Sequence, residues 1–192
     1  MKTFEIEGSL RTDLGKKATK ALRKEGLVPC VLYGSEENVH FALSASALHH
    51  LIFTDKVYIV ELKIGDKNYS AIVKDIQFHP VTDVALHFDF LSVTAQKPVS
   101  INIPIKLTGS SEGVKAGGKI QLQMRYLKVK GLRANLPDSL SVDVTKLGLG
   151  KTIQVSELKF DNLELLNAKN AVIVAVRLTR AARGAAAATE TE

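Results

Sequence analysis

The chain has 192 residues, 45% hydrophobic and 24% charged, with a single cysteine and a formal net charge of +6. That composition excludes a collagen, a wholly disordered chain and a disulfide scaffold. Its longest uncharged apolar runs, such as Ala171 to Val176, fall far short of the roughly 20 residues that cross a bilayer. Met1-Lys2-Thr3-Phe4 leads straight into alternating residues rather than the apolar segment of a signal peptide, so no secretion signal is expected. A lone Cys30 cannot form an internal disulfide or a multi-cysteine zinc site, which points to a reducing, cytoplasmic setting.

The charge is unevenly spread. Residues 1–95 carry a net −1 and residues 96–192 a net +7, yet residues 11–26 alone hold Arg11, Lys16, Lys17, Lys20, Arg23 and Lys24 against Asp13 and Glu25. A concentrated patch of this kind says more about an acidic partner than the whole-chain balance.

Phe4, Ile6, Gly8 and Leu10 alternate with Glu5, Glu7 and Ser9, which predicts a half-buried opening strand. Lys16 to Glu25 fits a helix, with Gly26 as its stop and Pro29 soon after. Val31-Leu32-Tyr33 predicts a strand, Val39 to Leu43 its antiparallel return, and Ser44 the cap of a short helix through Leu51. Val57 to Ile64 and Asn68 to Ile76 flank Gly65-Asp66-Lys67 as a hairpin, and His79-Pro80 interrupts its second arm. Val84, Leu86, Phe88 and Phe90 then alternate with Ala85, His87, Asp89 and Leu91, which predicts a strand with the first set inward. The first half therefore reads as a small antiparallel β-barrel of five or six strands with two or three helices.

Thr94 to Pro98 has linker composition, and Val99 opens a new alternation with Ile101, Ile103 and Ile105. Strands are expected near Ile120 to Gln123, Tyr126 to Val129, Leu140 to Val144, Thr152 to Val155 and Ala171 to Val176. The fold class is mainly β with short helices (α+β). A domain spans residues 1–95, an all-β domain residues 96–180, and an Ala-rich tail, expected to fray, residues 181–192.

On a helical wheel Lys16, Lys17, Lys20, Arg23 and Lys24 fall within an arc of roughly 120°, with Ala18, Ala21, Leu22 and Glu25 on the other side, where Ala21 and Leu22 can seat the helix on the sheet. Like charges at i and i+4 repel, and a polyanion removes that cost while releasing counterions. A solvated lysine face is the bland alternative. His87 and Asp89, two apart on a strand, emerge together opposite Phe88 and Phe90. A carboxylate accepts from base amino groups and an imidazole donates to phosphate, 2′-hydroxyl or base edge, so the pair suits RNA. Tyr33 can stack or donate its hydroxyl, though a rim tyrosine fits its place equally well.

Two enzymatic readings compete. His79, His87 and Asp89 have the residue types of a metal-dependent hydrolase, but their spacing crosses a proline turn. Cys30 lies in an apolar strand and reads as inert rather than nucleophilic. The segment GSSEGVKAGGK lacks phosphate-loop spacing and reads as a tight structural loop.

The segment LRTDLGKKATKALRKEGLVPCVLYG and the later IQFHPVTDVALHFDFLSV resemble, in matching order, the two signatures of the bacterial large-subunit ribosomal protein family that binds 5S ribosomal RNA. The first signature falls on Arg11, Gly15-Lys16, Thr19-Lys20, Leu22-Arg23, Gly26, Pro29-Cys30 and Tyr33-Gly34, the second on Gln77, His79-Pro80, His87, Asp89 and Phe90. Thr19, Lys20 and Cys30 depart from the family's commonest choices, and Lys20 lacks an arginine's fork. GVKAGGKIQ and LPDSLSVDVTKLGLGKTIQVSELK are similar to the added domain of the longer members, often called general stress protein CTC. The resemblance implies a non-enzymatic structural constituent of the large ribosomal subunit, bound to 5S rRNA in the central protuberance through Arg11, Lys16, Thr19, Lys20, Arg23, Tyr33, His87 and Asp89. It implies neighbouring ribosomal proteins or 23S rRNA as partners of the second domain, and no cofactor, metal, membrane or small-molecule substrate. A stress-induced RNA-binding factor acting off the ribosome is the alternative.

Overall fold

The computed structural model describes residues 2–35, 37–54, 56–94 and 96–179. The chain divides into two compact units. The first runs through Val99 and includes Leu132–Asp138; the second comprises Ser100–Gly131 and the chain from Ser139 onward.

In the first unit β1 (Lys2–Leu10), β2 (Leu27–Tyr33), β3 (Val39–Ser44), β4 (Tyr58–Ile64), β5 (Lys67–Phe78) and β6 (Ala85–Ser92) close into a barrel of order β1-β3-β2-β6-β5-β4. The barrel is not wholly antiparallel: β1 runs parallel to β4 and β2 parallel to β6. Alternation along one strand cannot announce the direction of its neighbour, and here the connections between these pairs are long enough to cross over. Inward residues fill the interior as a small barrel requires, with Leu32, Phe41, Val60, Leu62, Phe88 and Phe90 fully buried.

Two helices, α1 (Lys16–Lys24) and α2 (Ala45–Ile52), complete this unit. Leu48 of α2 is buried, and Ala47, Leu51 and Ile52 pack on the barrel core. Ser44 stands at the N-cap as expected, but its hydroxyl lies 2.6 Å from that of Ser46 instead of capping the backbone. Gly26 follows α1 at φ 77° and its N–H bonds the Arg23 carbonyl, a left-handed exit that only glycine makes without strain.

The expected inward set of β6 is half right. Phe88 and Phe90 point in, whereas Val84 is 55% exposed and Ala85 is buried in its place. The cause is a bulge: Gln77 faces His87 and Phe78 faces Ala85, so Leu86 is an extra residue that resets the alternation.

The second unit holds a four-stranded sheet and a three-stranded sheet. The four-stranded one has β10 (Leu140–Asp143), β7 (Val99–Thr108), β9 (Tyr126–Gly131) and β12 (Glu164–Leu165) in that order. The other orders β11 (Thr152–Gln154), β13 (Val172–Arg177) and β8 (Lys119–Leu122). Val144, Leu147, Val174 and Val176 form a core between Ile120, Leu122, Leu149 and Ile153. The glycine-rich segment is a close-packed loop around a single helical turn, α3 (Glu112–Lys115). A Cβ on Gly113 would stand 2.6 Å from the Gly148 carbonyl carbon, so backbone crowding explains that glycine. The Ala-rich tail lies outside the described residues.

Cys30 is 1% exposed, and burial pushes its thiol from near 9 up to about 12. At pH 8 about one thiol in ten thousand is thus ionised. The native protein is expected to resist iodoacetamide at pH 8 and to react stoichiometrically in denaturant. Because the fold keeps a proton that the unfolded chain releases, stability falls as pH rises above about 9 towards 12 and is indifferent to this group below that window. Denaturation midpoints for the wild type and Cys30→Ala between pH 8 and pH 10.5 should converge as pH rises.

Candidate nucleic-acid interface

Alternation on β2 sends Cys30 and Leu32 inward, leaving Val31 and Tyr33 outside. The parallel register sets Val31 against Asp89 and Tyr33 against Leu91. On the far side of β6 the antiparallel register places Asp75 opposite Asp89 and Gln77 opposite His87, and on the far side of β2 it places His40 opposite Val31. The barrel therefore presents one wall bearing Tyr33, His87, Asp89, His40, Asp75 and Gln77. Of these, the sequence singled out Tyr33, His87 and Asp89, and quoted Gln77 without a role. His40 and Asp75 become visible only through strand register.

His87 Nδ1 lies 2.7 Å from Asp89 Oδ1, with the two side chains 28% and 30% exposed. The approach is close but off the hydrogen-bond line, and Nδ1 has no in-line partner among the described residues. The two side chains are partly exposed, while Nδ1 itself is buried against the carboxylate. Tyr33 is held protonated: burial first, then the Asp89 and Asp75 carboxylates, raise its phenol above 10. It serves as a hydroxyl donor across neutral pH.

The cationic helix lies beside this wall. α1 packs against β2, in which Pro29 and its cross-strand partner Ala42 are buried. It docks shallowly: Ala18, Thr19 and Leu22 are half-buried, while Ala21, expected in the seat, is exposed. The seat is rotated towards Thr19 and away from Ala21 relative to the wheel. Lys16, Lys17, Lys20, Arg23 and Lys24 are all exposed.

A helix of 9 residues with no side-chain cap and no acid in its first turn is too short to persist alone. Two arginines tether it. Arg23 sends Nε and Nη2 to the Leu86 carbonyl at 3.1 and 2.8 Å. Arg11 Nη2 donates to the Asp13 carbonyl and the Thr19 hydroxyl, each at 3.3 Å, and that hydroxyl donates to the Gly15 carbonyl at 2.8 Å. Arg11, Thr19 and Arg23, expected as RNA contacts, thus all have internal partners that shape α1 and its entry loop. Arg11 Nε is buried with no hydrogen-bond partner among the described residues.

His79 stands apart. Its Nδ1 accepts the Val81 and Thr82 N–H groups at 3.3 Å each, and its backbone bonds Val84 and Asp83 across the Pro80 turn. Among the described residues no three histidine, cysteine or acidic side chains are gathered to hold a metal ion. No described helix is long and apolar enough to cross a membrane.

The Ribosomal L25p family model matches residues 6–90, and the model for the C-terminal domain of ribosomal protein TL5 matches residues 98–180. A relative from Porphyromonas gingivalis, named large ribosomal subunit protein bL25, is 56% identical over 188 residues, covering 97% of this chain and 98% of that protein. The chain belongs to the ribosomal L25p family. It has that family's long, two-domain form. Proteins of the same name from Phocaeicola vulgatus (55% identical over 194 residues, 97% of this chain and 98% of theirs) and Bacteroides thetaiotaomicron (52% over 193 residues, 98% of each) match it over nearly their whole lengths.

His79 organises a turn by accepting two backbone donors. His79→Ala should therefore cost about 1–2 kcal/mol of stability, with His79→Asn recovering part of it through its amide oxygen. Urea denaturation of the three proteins checks this.

Proposed function

We propose that the chain is a structural, non-catalytic constituent of the large ribosomal subunit, working in the cytoplasm, and that its first domain binds 5S rRNA in the central protuberance. The observation that carries the reading is the contiguity of an exposed lysine helix with a partly exposed His87–Asp89 pair and a protonated Tyr33 on one barrel wall. Family membership supports it, since the relatives bear large-subunit names.

The division of labour follows from charge and reach. Lys16 and Lys20 neutralise phosphates and place the protein on the duplex. Tyr33, His87 and Asp89 select the site. A regular A-form helix offers its shallow minor groove with 2′-hydroxyls, and a non-standard internal loop adds base edges that an Asp carboxylate and an imidazole can recognise. The second domain, residues 96–180, with its net positive charge, engages neighbouring rRNA or protein.

Filter binding to 5S rRNA and to an unrelated structured RNA of equal length, at several salt concentrations, separates these roles. Lys20→Ala should weaken both RNAs alike and lower the salt slope by about 0.7–0.9. Asp89→Ala should weaken 5S rRNA about 5- to 100-fold, corresponding to one lost base-edge contact, and leave the control nearly unchanged. Equal loss on both RNAs for Asp89→Ala would sink the selective role. Co-sedimentation of the wild type with large subunits through a high-salt cushion tests residence on the ribosome.

A further inference from the structure

Two irregularities in the β5–β6 ladder bracket the segment that carries His87 and Asp89. One falls between Val73 and Asp75, the other between Gln77 and Phe78, leaving three regular pairs: Asp75 with Asp89, Ile76 with Phe88, Gln77 with His87. The second irregularity makes Leu86 the extra residue of β6. Strict alternation from the inward Ala85 would have turned His87 and Asp89 inward as well; the single added residue turns them out. A bulged residue leaves the ladder, and its backbone groups must find other partners. The Leu86 carbonyl finds Arg23, whose Nε and Nη2 both close on the one oxygen.

We propose that Arg23 is a positioning residue: by holding the bulged Leu86 carbonyl it aims the His87–Asp89 pair at the RNA, so that its contribution to binding runs through that pair and not through a phosphate charge. The proposal rests on the RNA-binding reading above for its consequence, but its structural core does not. The clamp joins α1 to β6 one residue before His87, so loosening it lets the bulge relax and the imidazole drift from Asp89. Lysine keeps the charge at position 23 but has no paired N–H fork to close on one oxygen. A bulge is a common device for re-aiming side chains beside a functional surface, and here its orientation depends on a side chain from another element.

The test uses the full chain with Arg23→Lys and Arg23→Ala. In the free protein, the His87 imidazole and the amides of residues 85–89 should shift in NMR spectra of both variants, while shifts of the distant β1–β4 pairs stay put. Unmoved His87 resonances would overturn the proposal whether or not RNA binds. In filter binding, both variants should lose about tenfold in 5S rRNA affinity with an unchanged salt slope, and Arg23→Ala should cost less than about twofold in an Asp89→Ala background, as expected for coupled residues. A slope lowered by about 0.7–0.9, with Arg23→Lys near wild type and full additivity with Asp89→Ala, would assign Arg23 to a phosphate and overturn it. Wild-type protein that fails to prefer 5S rRNA would defeat the RNA reading alone, leaving the spectral outcome to decide the clamp.

Discussion

The parallel pairing of β2 with β6 is the contact on which the rest of the surface depends. It brings a strand ending in Tyr33 beside one that carries His87 and Asp89, and the register sets Val31 and Asp89 side by side. Strands so far apart in sequence meet only because the sheet closes, and closure is held by the interior: Cys30, Leu32, Phe88 and Phe90, each 1% exposed or less, lie back to back with the outward set. The hydrophobic effect orients the inner residues, and strand geometry then delivers the polar ones to the opposite face.

The helix illustrates a different balance. α1 has five exposed cations, neither cap nor buried residue, and so gains little from its own chemistry. What keeps it in place is a few polar tethers at its two ends together with a small apolar seat. A row of unneutralised lysines is unfavourable in the free protein by a few tenths of a kcal/mol for each close pair, and that modest strain is what an RNA backbone would relieve. The second unit keeps its loops tight by other means: Asp143 accepts from the Thr145 N–H and hydroxyl, which hold its carboxyl below the usual range.

Several features were legible without coordinates because they depend on local periodicity. The six strands of the first unit, the start of α1 at Lys16, the hairpin at Gly65 and the inert Cys30 all follow from alternation, from turn residues and from apolar surroundings. The two parallel pairings were not legible, because side-chain alternation is the same in parallel and antiparallel neighbours. Nor was the bulge at Leu86: Val84, Leu86, Phe88 and Phe90 form an unbroken apolar alternation, and only the pairing with Gln77 and Phe78 reveals that one residue is extra. Ala21 was misplaced for a related reason, since the wheel gives an arc but the barrel chooses its centre.

By itself the sequence determined the β-rich character of the chain, the cationic helix and the placing of His87 and Asp89 on a common face of one strand, all of which are set by spacing along a single element. Tertiary structure alone decided which elements stand side by side. It placed His40, Asp75 and Gln77 on the wall with Tyr33, and it engaged Arg23 with a backbone carbonyl rather than leaving it to solvent. The physical reason is that hydrogen-bond register and the fate of an unpaired carbonyl are properties of two strands and a helix together, and no single segment encodes them.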